Sequence, residues 1–232
     1  MKRSHPKGRG KAVVLLSGGL DSATTLYMAA ARGYRLHALA FDYGQRHDRE
    51  VRAARRIAAA AGVACDVIRL RLPWKGSALL DKRIPVPASR PLSRAHDVIP
   101  ATYVPARNIV FLSLALSCAE AEGAGRIFIG ANAIDYSGYP DCRPAFYRAF
   151  ARAARQGTKA GTSGRAIRIE TPLIRLTKAQ IIREGTRLGV PYALTWSCYK
   201  GGARPCGVCD SCRLRAKGFR EAGVSDPALR RC

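Results

Sequence analysis

Acidic residues are scarce in this chain. Sixteen Asp and Glu stand against 40 Lys and Arg, a formal net charge of +24. Such an excess attracts nucleic acid and other polyanions without specificity. The basic residues are mostly Arg, spread along the whole chain and mixed with Ala, and skewed codon usage produces that pattern as readily as a binding face does. Nucleic acid is therefore not a required partner. Long apolar runs are missing too. No stretch of 18 apolar residues occurs, which leaves no membrane-spanning helix to expect. The segment 1–11 is basic and leads into only five apolar residues, with no cleavage site of the kind a signal peptide needs. The expectation is a cytoplasmic protein with a short basic tail. In that compartment eight cysteines point to metal binding rather than to a disulfide framework. No internal repeat is visible.

The Walker phosphate loop, with its obligatory Lys, is also absent. What stands in its place is AVVLLSGGLDSATTLY, residues 12–27. An apolar strand runs into a glycine turn, and a helix begins directly after it. A turn of this kind presents several unpaired backbone N–H groups to one point, the geometry that grips phosphate. Gly18 and Gly19 permit close approach, Ser17 and Ser22 add hydroxyls, and Asp21 can hold Mg²⁺ beside the anion. The turn resembles the PP-loop of ATP pyrophosphatases, which cleave ATP between its α and β phosphates. The resemblance implies nucleotide contacts over Leu16, Ser17, Gly18, Gly19, Leu20, Asp21, Ser22, Ala23, Thr24, Thr25 and Leu26.

Further along, strands and helices alternate. Strands are expected at 12–16, 35–42, 64–70, 126–132 and 166–174. Helices are expected at 21–32, at a segment with Val51, Ala54, Ile57 and Ala58 on one face, at 109–123, around Phe146, Tyr147 and Phe150, and at 177–189. Thr177 suits an N-cap and Gly189 a stop. The alternation implies an α/β fold, a parallel sheet with helices on both faces, with ligands at the carboxyl ends of the strands. Helix 109–123 is apolar nearly all round, so burial is expected. Between 72 and 102 five prolines break the pattern, and a loop this long is either functional or a surface insertion. The division expected is an ATP-binding domain over 12–195, a cysteine element with a C-terminal helix over 196–223, and a tail over 224–232.

Cys198, Cys206, Cys209 and Cys212 are spaced C-x7-C-x2-C-x2-C, and Gly201, Gly202 and Gly207 let the chain turn around one ion. Four sulfur ligands suit a closed tetrahedral Zn²⁺ of structural type. An iron–sulfur cluster is the competitor. Cys65 and Cys118 lack this spacing and read as small core residues.

Three polar stretches fall beyond strand ends. TYVPARN (102–108) carries Tyr103, Arg107 and Asn108. GANAIDYSGYPDCR (130–143) carries Asn132, Asp135, Tyr136, Ser137, Asp141 and Arg143, and RQGTKAG (155–161) adds Lys159. Asp135 and Asp141 suit the donor edge of a guanine-like ring. Tyr136 and Tyr139 can stack on its plane, and Arg107 or Arg143 can pair with a carboxylate.

SGGLDS, FDYGQRH, YVPARN, GANAIDYSGYPDCR, TPLIRLTKA and the cysteine spacing occur here in one order. That order resembles the 7-cyano-7-deazaguanine synthase family, from about Ala12 to Gly223. The resemblance implies an ATP-dependent ligase that converts 7-carboxy-7-deazaguanine and ammonia to the nitrile, through adenylated acid and amide. It implies ATP with Mg²⁺, one structural Zn²⁺ and a homodimer. In this scheme Asp21 and Ser22 act at the phosphates, and Lys159 or Lys178 stabilises the α-phosphate. No glutaminase segment is expected before Ser17, so ammonia comes free or from a donor protein. Two other readings compete: a PP-loop tRNA-thiolation enzyme, which the cysteine knot leaves without a free thiol pair, and a zinc-bearing nucleic-acid module, which leaves SGGLDS unexplained.

Overall fold

The computed structural model describes residues 9–88, 99–132 and 138–228. Five strands form one parallel sheet in the order β3-β2-β1-β4-β5. They are β1 Lys11–Leu15, β2 Arg35–Asp42, β3 Ala64–Arg69, β4 Arg126–Ile129 and β5 Arg168–Glu170. Alternate residues of β1 feed two cores. Ala12 and Val14 join α1 (Leu20–Ala31), α2 (Arg49–Ala60), α6 (Lys178–Arg187) and α7 (Asp210–Ala222) on one face. Val13 and Leu15 join α3 (Arg107–Glu122) and Tyr147 of α4 (Pro144–Gly157) on the other. This is the expected period of two on a strand buried on both faces. A one-turn helix, α5 (Lys159–Thr162), follows α4.

The chain leaves β1 in one direction and β4 in the other. Their carboxyl ends therefore open a crevice where ligands sit in open α/β sheets. Thr177 caps α6 in a reciprocal capping box with Gln180, and Gly189 beyond it has φ +74°, as the sequence predicts.

Four expectations need correction. Strands 126–132 and 166–174 are shorter than their apolar runs, ending at Ile129 and spanning only Arg168–Glu170. Apolar composition does not reveal where pairing stops. Helix α3 is not buried: Leu112, Ala115 and Ala119 face the core, while Ile109 is 43 % exposed. Its outer face carries Ile109, Ser113, Ser117 and Ala121, so the helix is covered on one side and mixed in polarity on the other. Cys65 and Cys118 are half-buried rather than core. The segment read as a tail from 224 begins as fixed structure, because Asp226 is buried in a two-pronged ion pair with Arg215, at 2.6 and 2.8 Å. α7 joins the core of the sheet through Phe219.

Candidate active site

The phosphate-type turn sits where β1 hands over to α1. Gly18 has φ +85°, and a Cβ there would come 2.2 Å from the Glu50 carbonyl oxygen and 2.8 Å from the Ala54 nitrogen. Space and backbone both demand glycine. Ser17 and Ser22 hydroxyls lie 3.0 Å apart, Ser22 donates to the Gly19 carbonyl at 3.1 Å, and the Gly19 N–H donates to Ser17 at 3.3 Å. The first-turn amides of α1 have no intrahelical acceptors, so they and the helix dipole favour an anion in front of them. Gly130, at the end of β4, lies against the same turn, its virtual Cβ 3.0 Å from Asp21 carbonyl atoms.

A cavity of about 250 Å³ opens over this turn. From the turn, Leu16, Ser17, Gly19, Leu20, Asp21 and Ser22 line it. That narrows the expected nucleotide stretch: Ala23 and Leu26 are in the core, buried Thr24 bonds the Tyr192 hydroxyl at 2.9 Å, and Thr25 is buried. Asp21 and Lys178 are one unit, with Nζ donating to both carboxylate oxygens at 2.8 and 2.7 Å. Lys178 is 8 % exposed and lines the cavity. Lys159 is exposed and is not among the lining residues, so of the two lysines only Lys178 reaches the turn.

Of the substrate candidates, Arg107, Asn108, Asn132 and Tyr139 line the cavity. Ala106, at φ +54°, turns the chain so that α3 starts at Arg107, whose Nη1 donates to the Tyr43 hydroxyl at 3.2 Å. Asn132 donates to the Leu176 carbonyl at 2.8 Å and so ties β4 to the lead-in of α6. Asp141 does something other than expected. Its carboxylate accepts the Asn108 N–H at 3.1 Å, capping the start of α3, and its own carbonyl accepts from the Asn108 side chain. Burial pushes its carboxyl up, and the Asn108 N–H opposes that. Tyr103 accepts from the Ala106 N–H and packs on Tyr139 rather than lining the cavity, and Arg143 is exposed. Asp135, Tyr136 and Ser137 lie outside the described residues.

Several lining residues escaped sequence reasoning: Glu50, Tyr43, Phe111, Cys142, Trp196, Tyr199 and Arg215. Burial pushes the Glu50 carboxyl up to about 7, with the Arg107 charge opposing and Cys198 adding to the rise. A helical Glu among arginines carries no sequence signal that it faces a cavity.

The four cysteine sulfurs all lie within 4.8 Å of one another. Cys206 N–H points at the Cys198 sulfur and Cys209 N–H at the Cys206 sulfur, at 3.3 and 3.4 Å. Amides aimed at clustered sulfurs stabilise thiolates, and the donor set fits a tetrahedral, sulfur-only ion. Hydrogen bonds from Cys209 and Cys212 hold the Cys198 thiol below the usual thiol range. The knot is bolted to the cavity. His47 Nε2 lies 3.0 Å from the Cys198 carbonyl, Arg49 donates to the Gly201 carbonyl and lies 4.8 Å over the Trp196 ring, and Trp196 N–H donates to Gly18 at 2.9 Å. The long loop contributes here too, since Ala78 and Val86 pack on the cysteines and Ala88 bridges Cys209.

The family model described as "Queuosine biosynthesis protein QueC" matches residues 11–223. The chain belongs to this family. Relatives named 7-cyano-7-deazaguanine synthase include one from Anaeromyxobacter dehalogenans, 58 % identical over 220 residues and covering 94 % of both chains. Another, from Methylococcus capsulatus, is 57 % identical, covering 93 % of this chain and 96 % of its own. A Thermoplasma acidophilum relative is 55 % identical over 94 % of this chain and 91 % of its own. Among solved structures, a 4-thiouridine synthetase–RNA complex with bound ATP aligns with TM-score 0.50 at 19 % identity, over 92 % of this chain and 50 % of that one, a likeness of fold. Among the described residues no helix is long and apolar enough to cross a membrane.

Proposed function

We propose that this QueC-family chain is an ATP-dependent 7-cyano-7-deazaguanine synthase of queuosine biosynthesis, converting 7-carboxy-7-deazaguanine and ammonia to the nitrile. The observation that carries this reading is the family match over residues 11–223 falling on a chain whose glycine turn, Asp21–Lys178 pair and Arg107 line one cavity. A carboxylate oxygen is a poor leaving group. ATP supplies adenylate twice, first to the acid and then to the amide, so each departing oxygen leaves on AMP while pyrophosphate is released.

The chain's own residues position that chemistry. The α1 amides with Ser17 and Ser22 face the departing pyrophosphate, and Lys178 offsets its charge from below. Asp21 would hold Mg²⁺ beside the phosphates, and the ion would offset their charge. Arg107, at the mouth of α3, suits the acid's carboxylate, and Phe111, Tyr139 and Tyr199 give the ring a flat, apolar wall. Asp135, Tyr136 and Ser137 stay proposed ring contacts. Cys198, Cys206, Cys209 and Cys212 would hold a structural Zn²⁺, which would steady the Trp196 strap on the turn.

The division into an ATP-binding unit over 12–195 and a cysteine element over 196–223 belongs to the same reading. So do a cytoplasmic setting, suited to reduced thiols, and ammonia taken up free or from a donor protein. A homodimer, which the family resemblance implies, belongs to the same reading. The decisive assay supplies 7-carboxy-7-deazaguanine, ATP, Mg²⁺ and ammonium, and follows products by mass spectrometry. Amide, then nitrile, with AMP is the expected result; ADP and orthophosphate without AMP overturn the reading.

A further inference from the structure

The opposite end of the sheet holds a second cluster of metal-type donors. His37 is the third residue of β2, near its amino end, whereas the cavity lies at the carboxyl ends. Cys118 and Glu122 sit four residues apart in the last turns of α3 and so face the same side of the helix. One ligand atom from each of His37, Cys118 and Glu122 lies within 4.8 Å of the others. His37 Nδ1 is the nitrogen turned to the Glu122 carboxylate. Its Nε2 lies 3.0 Å from Asp66 on the neighbouring strand β3. The Asp66 carboxylate at Nε2 is the outer partner that fixes the tautomer and orientation of a metal-binding histidine, with Nδ1 left on the Glu122 side.

We propose that His37, Cys118 and Glu122 form a second binding site for a divalent transition cation of the zinc class, with Asp66 as its outer support. The donor set is one nitrogen, one sulfur and one carboxylate oxygen, which suits zinc and leaves a fourth position for water. Access is open, since the Asp66 and Glu122 side chains are 73 % and 32 % exposed while His37 is 19 % exposed. The carboxyl end of a helix is its negative pole and favours a cation. One group works against it: Lys11 Nζ donates to the Glu122 carbonyl at 3.0 Å, on the backbone side of the cluster. Both metal ligation and a plain charged histidine between two acids would hold β2, β3 and α3 together. They differ in what the site binds. This inference is independent of the proposed ligase activity, because no residue of the cluster lines the cavity.

The test uses the full chain without a histidine tag, loaded with zinc, desalted and then titrated with Co²⁺. A further equivalent of cobalt per chain is expected, with a thiolate-to-cobalt charge-transfer band. Cys118→Ser removes the band, and His37→Gln removes the extra equivalent, while zinc in the four-cysteine knot stays at one per chain. Asp66→Asn weakens the extra binding by about 10- to 100-fold. Wild type that takes no metal beyond one equivalent overturns the proposal, and so does an extra equivalent that persists in both Cys118→Ser and His37→Gln.

Discussion

The turn at 17–22 is held from two sides by two kinds of structure. On one side lies the βα half, β1 through α2, where everything is local: alternating apolar residues, a glycine turn, a helix packed across the strands. On the other lies the cysteine element. It reaches the turn from almost 180 residues away, through the Trp196 N–H on the Gly18 carbonyl and Arg49 and His47 on the knot's carbonyls. The first side forms the anion cradle by backbone rules alone. The second reaches the same cradle through contacts made by the segment that carries the four cysteines. The turn is therefore buttressed from the far end of the chain.

The largest effect is expected on the local side. Asp21→Ala should lower AMP formation by about 10²–10³-fold, the range for losing one charge-stabilising group. It should also cost about 2 kcal/mol of stability, because the buried Lys178 loses its two charge-assisted hydrogen bonds to Asp21. Steady-state assays and thermal melts read the two losses separately; wild-type turnover would remove Asp21 from the chemistry.

The distant side comes next. Cys206→Ser, or stripping the metal with a chelator, should lower Tm by about 10 °C or more, as losing a structural zinc does. The knot is coupled to the turn, so turnover at permissive temperature should fall as well. An inactive variant with unchanged Tm would make the metal catalytic instead.

A smaller effect separates the two sides by pH. The Glu50 carboxyl is raised from 4.5 to about 7 by burial. Between those values the folded chain holds a proton that the unfolded chain lacks, so this contribution is full below pH 4.5 and is lost as pH rises through about 7. Glu50→Gln should flatten Tm between pH 5 and pH 8, raising it mainly at the upper end. An unchanged Tm profile would place the carboxylate in water.

The smallest is Thr177→Ala. Losing the capping box should cost about 1 kcal/mol, or about 2–4 °C in a melt, with KM for ATP rising as Lys178 loosens. A drop in Tm alone would confine the cap to stability.

The contrast also explains what could be read beforehand. β1, α1, β2 and α2 were legible because apolar runs, a glycine turn and helical periodicity act within a few residues. The four cysteines were legible because one ion requires their spacing. Glu50 and Tyr43 were not, since nothing in a local pattern says which side of a helix or loop meets a cavity built from many distant segments. Asp141 has a second role that no local pattern shows: a carboxylate near a site can serve a helix start as well as a ligand, and here it accepts the Asn108 N–H. Lys159 and Lys178 had equal claims by chemistry; only tertiary placement told them apart.

Gly18 carries a consequence for laboratory evolution. Its missing Cβ would overlap the backbone of α2, 2.2 Å from one oxygen. In a library randomised across 17–22, this codon should be purged at the level of expression, before any screen for product is applied. Its neighbours would drift until chemistry stopped them. Sequencing the soluble pool before and after selection would sort the loop into positions that architecture forbids and positions that catalysis forbids.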